Sequence, residues 1–419
     1  MGSNRREFLT QSAGALAAFA IVPNFSAIGA AKSAMLGAAA NQPLNVGLVG
    51  AGRQGRAILG ELAKIDGVRV VAVCDDIDSR LRAGARRVQG AEAFGDYREM
   101  LEKQRDMHAV IVATPTHLHR RIVEDALAAG RHVYCEAPLA HTVDDARAIA
   151  RAARNAGGGL VFAAGLEARS NPIYQLARTF YRTDAVRDPV AIEAQHFRKT
   201  SWRFPSPNPA DERAINWRLD PEVTLGLPGE MGVHQFDVAM WYTDRMPTAV
   251  SGGGAVMFHD DGRTVADTTH NTIRFDRGLA MQYQASLANS FQGRHEILRG
   301  SNATIKLAWT FAWMFKEADA PTQGWEVYAN RQQFHNEEGI TLIADATQLA
   351  SQGRLQDGVG LPNPPLYYAL SDFVSSVREN KPAVCNELDA MRATIVAIHA
   401  AKAAETGSEQ VIDAALYNL

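Results

Sequence analysis

Cysteine is scarce: 419 residues carry only Cys74, Cys135 and Cys385. Three widely spaced thiols exclude a disulfide framework and a Cys-x-x-Cys metal site. Cys74 and Cys135 end apolar runs and are expected as buried thiols. An excess of one charge is also lacking, since 43 Lys and Arg stand against 46 Asp and Glu. Nucleic acid is therefore not expected as a partner, because a phosphate backbone calls for a basic surplus. Charges of both signs are interspersed, without long single-sign runs.

The length suggests two domains, or at most three. Residues 1–40 read differently from the rest. Asn4-Arg5-Arg6-Glu7-Phe8-Leu9-Thr10 is a twin-arginine pattern, and an apolar stretch runs from Ala13 to Val22. That stretch is too short to span a membrane, so no stable membrane insertion is expected. It has the length of a signal h-region, and small residues from Ala27 to Ala40 offer cleavage points. The expectation is export by the twin-arginine route to the periplasm or beyond; the plainer alternative is a frayed, alanine-rich helix. A protein exported folded can carry a cofactor loaded beforehand. That cofactor is then recycled in place, or the net reaction is redox-neutral.

From residue 44 the chain reads as α/β. Val46 to Val49 is a short apolar run, consistent with a buried parallel strand. The turn Gly50-Ala51-Gly52-Arg53-Gln54-Gly55 follows, and a helical pattern then places Ile58, Leu62 and Ile65 on one face. A second strand, Val68 to Val73, leads into Cys74-Asp75-Asp76. Gly50 permits the tight turn, Gly52 lets the backbone approach a pyrophosphate, and Gly55 lets the helix pack on the strand. Arg53 and Gln54 complete the turn, and the helix N-terminus presents its N–H groups to the phosphates. Asp75 lies about 20 residues past Gly55, where a carboxylate can accept ribose hydroxyls. It repels a 2′-phosphate, so NAD is expected rather than NADP, although Arg80 and Arg82 stand near enough to soften that choice. The alternative is a glycine turn without a cofactor. The strand before, the helix after and the acid at this spacing weigh against it.

The winding continues. His108 to Thr114 reads as a strand ending in Pro115-Thr116-His117-Leu118-His119, and a helix with Ile122, Ala126 and Ala129 near one face runs to Gly130. His132 to Cys135 is the next strand, ending in Glu136-Ala137-Pro138. Ligands of open α/β sheets sit beyond the carboxyl ends of the strands, so Thr114, Pro115, Glu136 and Pro138 point at the nicotinamide end of a bound dinucleotide. His117 and His119 lack a third ligand, and no metal is expected. Beyond residue 187, strand-like segments recur at Val190 to Phe197, Thr248 to Phe258, Asn271 to Phe275, Leu279 to Ala285 and Glu296 to Gly300. Asp260-Asp261-Gly262 and Asp276-Arg277-Gly278 are turn signals among them. Leu366 to Val377 and Ala390 to Glu405 look like late helices.

Four features in order resemble the Gfo/Idh/MocA oxidoreductase family. They are the glycine turn with Asp75, Ala113-Thr114-Pro115 with His119, Ala129-Gly130-Arg131-His132-Val133 leading into Glu136 and Pro138, and Gly229-Glu230-Met231-Gly232-Val233-His234-Gln235-Phe236-Asp237. The resemblance covers nearly all of the chain after residue 43. It implies an N-terminal Rossmann domain (41–165) and a C-terminal α/β domain (166–419) with a large, open, mostly antiparallel sheet. The last helix is free to pack back on the first domain. It also implies a sugar, cyclitol or similar polyol as substrate, held between the two. A homo-oligomer, dimer or tetramer, is expected.

The sequence departs from the family at Ala137, where the family usually has the lysine of Glu-Lys-Pro as its proton-transfer group. Loss of a general acid–base group costs about 10²–10⁴-fold in rate. His234 is the expected replacement. On a helix, Glu230 at i−4 and Asp237 at i+3 fall near its face, and a neighbouring carboxylate can orient an imidazole and raise its pKa. The plainer reading is a histidine packed at a seam. His119 matches a family position near the nicotinamide. His196, Arg198, Lys199, Trp202, Trp217 and Arg218 form a polar-aromatic group suited to sugar faces and hydroxyls, and Tyr283 offers a phenol. Of these, His196, Arg198, Trp217, Arg218 and Tyr283 are the substrate candidates. Residues 204–209, rich in proline, read as a loop at a pocket edge. Residues 309–361, with Trp309, Trp313 and Trp325, read as an insertion over the pocket or an oligomer contact.

Three functions compete. The first is a nicotinamide-dependent sugar or polyol oxidoreductase with a tightly held cofactor. The second is a redox-neutral, NAD-dependent glycosidase or lyase that oxidises the sugar transiently. The third is a non-catalytic sugar-binding relative.

Overall fold

The computed structural model describes residues 43–419 apart from 325, 327, 328, 335, 336, 344–348, 350, 351 and 353–358. The twin-arginine segment and Trp325 lie outside the described residues. Leu44–Leu342 and Val359–Leu419 form one compact unit that contains both sheets described below.

The first sheet is wholly parallel. Its strands are β1 (Leu44–Val49), β2 (Val68–Cys74), β3 (Glu92–Phe94), β4 (Ala109–Val112), β5 (His132–Cys135) and β6 (Phe162–Ala164), in the order β3-β2-β1-β4-β5-β6. This is the Rossmann order, and its direction reverses between β1 and β4. All six residues of β1 and all four of β4 are buried, as expected of strands covered on both faces. The helices between them are α1 (Arg53–Leu62), α2 (Asp78–Ala85), α3 (Tyr97–Lys103), α4 (His119–Ala128) and α5 (Val143–Asn155). Helix α1 buries Ile58, Leu59 and Leu62 and ends there, so Ile65 falls outside the helix. Helix α6 (Pro172–Tyr181) follows the sheet, capped by Asn171 Oδ1 on the amides of Ile173 and Tyr174.

The second sheet has ten strands among the described residues. They are β7 (Pro189–Phe197), β8 (Ala249–Ala255), β9 (Thr268–Arg274), β10 (Ala280–Ser286), β11 (Arg294–Gly300), β12 (Ala303–Ala308), β13 (Phe311–Lys316), β14 (Arg331–Phe334), β15 (Glu337–Thr341) and β16 (Gln410–Val411). The order is β14-β15-β13-β12-β11-β7-β10-β9-β8-β16. Only the β7–β10 pairing is parallel. Alternation sorts the faces: Met281, Tyr283 and Ala285 are buried, while Gln282 and Gln284 between them are exposed.

Helices α7 (Gly226–Glu230) and α8 (Gly232–Thr243), then α9 (Pro365–Glu379) and α10 (Glu387–Thr406), complete the architecture. Helix α8 lies on the buried face of the sheet, where Gln235 Nε2 donates to Gln195 O and His295 O at 3.0 and 2.9 Å. Helix α10 presents Ala393, Ala397, Ala400 and Ala403, small enough for close approach. It packs on β8 and on α5, and its Thr394 Oγ1 accepts the Leu139 amide at 3.0 Å. One apolar core runs from Val112 and Val133 of the first sheet to Met281 and Tyr283 of the second. Helix α9 packs on the other side of the first sheet through Leu366, Leu370 and Phe373, beside Ile58 and Leu62.

The described residues between 303 and 341 are not an inserted cover. They form β12 to β15 and extend the sheet. The period-two signal is present, with Ala303, Ile305, Leu307, Ala312 and Met314 buried, but outward aromatics obscure it: Phe311 and Trp313 stack at 5.9 Å on the same pleat. Strands β3 and β6 also escaped sequence reading, because three residues are too few to show a period. Among the described residues no helix is long and apolar enough to cross a membrane.

Candidate active site

The glycine turn is shaped by backbone contacts. Gly50 has φ +96°, and a Cβ there would stand 2.6 Å from Ala113 C and 2.7 Å from Thr114 N, so the ends of β1 and β4 touch. A Cβ on Gly55 would overlap the Gly50 carbonyl oxygen. At Gly52 a Cβ would meet nothing within 4 Å, because that position opens on a cavity. Gly52 is also the N-cap of α1, with no side chain bonded to the first amides. These N–H groups are therefore free for an anion. Asp75 braces the turn. Its Oδ2 accepts the Ala51 amide at 2.7 Å and its Oδ1 the Ile77 amide at 2.9 Å. Burial raises its pKa, and these two bonds oppose the rise.

A cavity of 1590 Å³ begins at Gly50, Gly52, Arg53, Gln54 and Asp75 and passes Thr114 and Pro115. It ends at His196, Arg198, Trp217 and Arg218. Phe204, Pro205 and Pro207 of the proline-rich loop line it, and the Arg53 guanidinium lies 5.3 Å over the Phe204 ring. Arg80 also lines the cavity, with Nη2 donating to Ile215 O at 3.3 Å, whereas Arg82 pairs with Asp78 in solvent. The cradle at Gly52, the free amides and the carboxylate of Asp75 suit a dinucleotide.

At the far end, Arg218 covers the Trp217 ring at 4.3 Å and approaches Glu230 Oε2 with Nε at 3.3 Å. Thr116 Oγ1 donates to Glu230 Oε1 at 3.2 Å. Glu230 thus joins the loop after β4 to the wall that carries Trp217. Burial raises the Glu230 pKa, and Arg218 opposes the rise. Asp237, fully buried, accepts Arg169 Nε at 2.9 Å and Nη2 at 2.8 Å. Arg169 also reaches Asp389 at 3.1 Å.

Both acids are therefore committed elsewhere, and the expectation for His234 is corrected. Glu230 ends α7 and His234 belongs to α8, so the two do not share one helix. The His234 pKa is not raised by a carboxylate. It falls well below the ordinary imidazole value through burial, then through Arg294 and His196. His234 Nδ1 has no partner among the described residues. His196 is pushed down to about 3 by burial, then by Arg294 and Arg198.

Other expected residues lie away from the cavity wall. His119 is buried with Nε2 at 3.0 Å from Thr114 O and Nδ1 at 3.2 Å from both Pro138 O and Leu139 O. It holds the two strand-end turns together, and it does not face the cavity. Tyr283 is fully buried, edge-on to Phe236 at 5.0 Å, so its phenol does not reach the cavity either. Gly55 and Pro138 are packed behind the wall, and the Ala137–Pro138 peptide is cis. Glu136 Oε1 accepts Gln54 Nε2 at 3.0 Å. All three cysteines are free and buried.

Sequence reading passed over Arg169, Arg294 and Glu167. Arg294 pairs across the strands with His196 and lies 3.4 Å from the Trp309 ring centroid. The signal was a charged residue at a position whose neighbours in phase, Glu296 and Leu298, face the core.

Two family models match the chain. Residues 44–163 match "Oxidoreductase family, NAD-binding Rossmann fold", and residues 191–306 match "GFO/IDH/MocA C-terminal domain". An uncharacterized oxidoreductase, YrbE, of Bacillus subtilis is 25% identical over 55% of this chain and 64% of its own. Levoglucosan dehydrogenase of Pseudarthrobacter phenanthrenivorans is 28% identical over 48% and 51%. Inositol 2-dehydrogenase of Rubrobacter xylanophilus is 32% identical over 37% and 44%. The matched stretch thus spans from under half to just under two thirds of these curated relatives. Among solved structures, an oxidoreductase domain protein from Kribbella flavida superposes with a TM-score of 0.70 at 21% identity, covering 89% of this chain and 100% of that one. Levoglucosan dehydrogenase in complex with NADH does so with 0.70 at 19%, with the same coverage. These two share the fold. The chain belongs to the Gfo/Idh/MocA family, and its first sheet is an NAD-binding Rossmann fold.

Proposed function

We propose, from that membership, that the chain is an NAD-dependent oxidoreductase acting on a hydroxyl of a sugar, glycoside or polyol. The observation that carries this reading is the single cavity joining the glycine turn to the wall of His196, Arg198, Trp217 and Arg218. Relatives named levoglucosan dehydrogenase and inositol 2-dehydrogenase support the substrate class.

The amides around Gly52 would hold the pyrophosphate, and Asp75 the adenosine ribose, which favours NAD over NADP. Thr114 and Pro115 would flank the nicotinamide, with Gln54 and Glu136 beside its ribose. A bound nicotinamide would supply hydride acceptance and return. The Trp217 face, covered in part by Arg218, suits the apolar face of a sugar ring, and His196 and Arg198 suit its hydroxyls. His234 would contribute a neutral imidazole that accepts or donates one hydrogen bond. Glu230 and Asp237 would act by positioning Arg218 and Arg169.

The twin-arginine pattern in residues 1–40 supports export by that route, with the cofactor held tightly and recycled. One feature favours the redox-neutral glycosidase as a second reading: Ala137 cannot move a proton.

The test is to purify the full chain, identify any bound dinucleotide, and follow near-ultraviolet absorbance with levoglucosan, myo-inositol and aryl glycosides. Accumulating reduced cofactor is the expected result. Aglycone release without net reduction would replace it with the second reading. A chain that binds no dinucleotide would sink both.

A further inference from the structure

Few of the titratable groups around the reacting end reach the cavity. Glu167 is partly buried and makes no hydrogen bond or ion pair with a described residue. Burial, then Glu136, pushes its carboxyl up to about 8. Yet Glu167 does not line the cavity, and neither do Glu136, Glu230, His234 and Asp237. Arginines aside, the titratable groups that line it at this end are His117, His196 and Asp220.

Their surroundings differ. Asp220 Oδ2 accepts Arg213 Nε at 2.5 Å, and this pairing holds its carboxyl below the ordinary carboxylate range. His196 has Arg294 as its cross-strand partner and Arg198 two residues on, so a proton added there meets two guanidinium groups. His117 lies two residues past Pro115, in the 3-10 turn Thr116–Leu118 after β4. Its neighbours are tied down, Thr116 to Glu230 and His119 to the carbonyls of Thr114, Pro138 and Leu139. The His117 ring is not. Its Nδ1 is buried without a partner among the described residues, and its Nε2 has none either and is open.

The ring contacts place it. His117 is edge-on to Trp217, with centroids 6.3 Å apart, so it stands where the segment after β4 meets the wall assigned to the sugar. His141, in the loop after β5, is edge-on to it at 6.0 Å, also with an unpartnered Nδ1. Asp220 and Arg213 are the charged groups nearby. Asp220 favours a protonated imidazole; Arg213 and His141 oppose it. Burial, then His141, lowers the His117 pKa below the ordinary imidazole value, so the ring is neutral at neutral pH and able to take a proton. Among the described residues no group of three His, Cys, Asp or Glu side chains could hold a metal ion, so these two imidazoles are not ligands of such a group.

We propose that His117 is the acid–base group of this site, where Ala137 supplies none. The assignment rests on the oxidoreductase reading. In oxidation the substrate hydroxyl O–H breaks and its proton forms an N–H on His117 Nε2. The same carbon loses hydride to the dinucleotide and its C–O becomes C=O. In reduction the proton returns from the imidazolium. Asp220 tempers the charge that forms.

Two measurements test this on the full chain. In assays of levoglucosan and myo-inositol oxidation by NAD, His117→Gln should bind NADH like the native chain yet lose about 100-fold or more in rate. The native rate should fall on the acid side, where protonation removes the base, and His117→Gln should lack that limb. Free imidazole should restore part of the rate to His117→Ala, which a merely structural role would not allow. An undiminished rate in His117→Gln overturns the assignment, and so does a lowered rate that keeps the acid limb. In NMR of histidine-labelled, NADH-bound protein, the imidazole signal missing from His117→Gln should titrate below the ordinary value. A signal that titrates at or above that value overturns the assignment. A native chain that binds NADH but oxidises neither substrate counts against the oxidoreductase reading instead, and the NMR titration then decides for or against His117.

Discussion

The two ends of the cavity are built in different ways. The dinucleotide end is made of backbone: Gly50, Gly52 and Gly55 within six residues, the first amides of α1, and Asp75 braced on Ala51 and Ile77. The reacting end is made of side chains drawn from β7, α8 and β11 and the loops after β4, β5, β6 and β7, which lie far apart in the chain. Its charges neutralise one another through Arg169 with Asp237 and Arg218 with Glu230. A site made of backbone geometry is written in a short motif. A site made of opposed side chains exists only after the sheets have met.

Four substitutions would break or sharpen this contrast. The largest effect is expected from Asp237→Ala, which leaves the buried Arg169 with Asp389 alone. Breaking a buried ion pair costs about 3–5 kcal/mol, and thermal unfolding should show a loss near the lower figure because Asp389 remains. If stability is unchanged, the reacting end is not held by this pair. Next comes Gly55→Ala, whose methyl would overlap the Gly50 carbonyl. Overpacking costs about 1–3 kcal/mol, so NADH affinity by fluorescence titration should fall by roughly ten- to a hundred-fold. Native affinity in this variant would show that the turn does not depend on close helix packing. Trp217→Ala should leave NADH affinity intact and raise the KM for an accepted carbohydrate about ten-fold, or ~1.4 kcal/mol. Equal damage to both would mean that the two ends are not separable. The smallest effect is expected from Tyr283→Phe. Its hydroxyl is buried without a partner among the described residues, so stability and KM should stay within about 0.5 kcal/mol of native. A large KM change would return Tyr283 to the substrate site.

Four strands of the parallel sheet, β1, β2, β4 and β5, were legible because they are continuous apolar runs that end in glycine, proline or acid. Half of the second sheet was not. Strands β12 and β13 have their inward period in Ala303, Ile305, Leu307, Ala312 and Met314, but Trp309, Phe311 and Trp313 between them hide the alternation. His234 was found by its motif, yet the direction of its pKa was not. Helical spacing put Glu230 and Asp237 near it, while the structure turns Glu230 toward Arg218 and Asp237 toward Arg169.

The sequence by itself determined the glycine turn, its acid at the end of β2 and the apolar runs of β1, β2, β4 and β5, because these are local and rest on backbone conformation. Tertiary structure alone decided which carboxyl is paired and which has no partner among the described residues. Asp237 and Glu167 look alike as letters. One is fixed by a guanidinium from the turn after β6. The other is left partly buried beside a second carboxyl, and burial and neighbouring charge set its proton affinity.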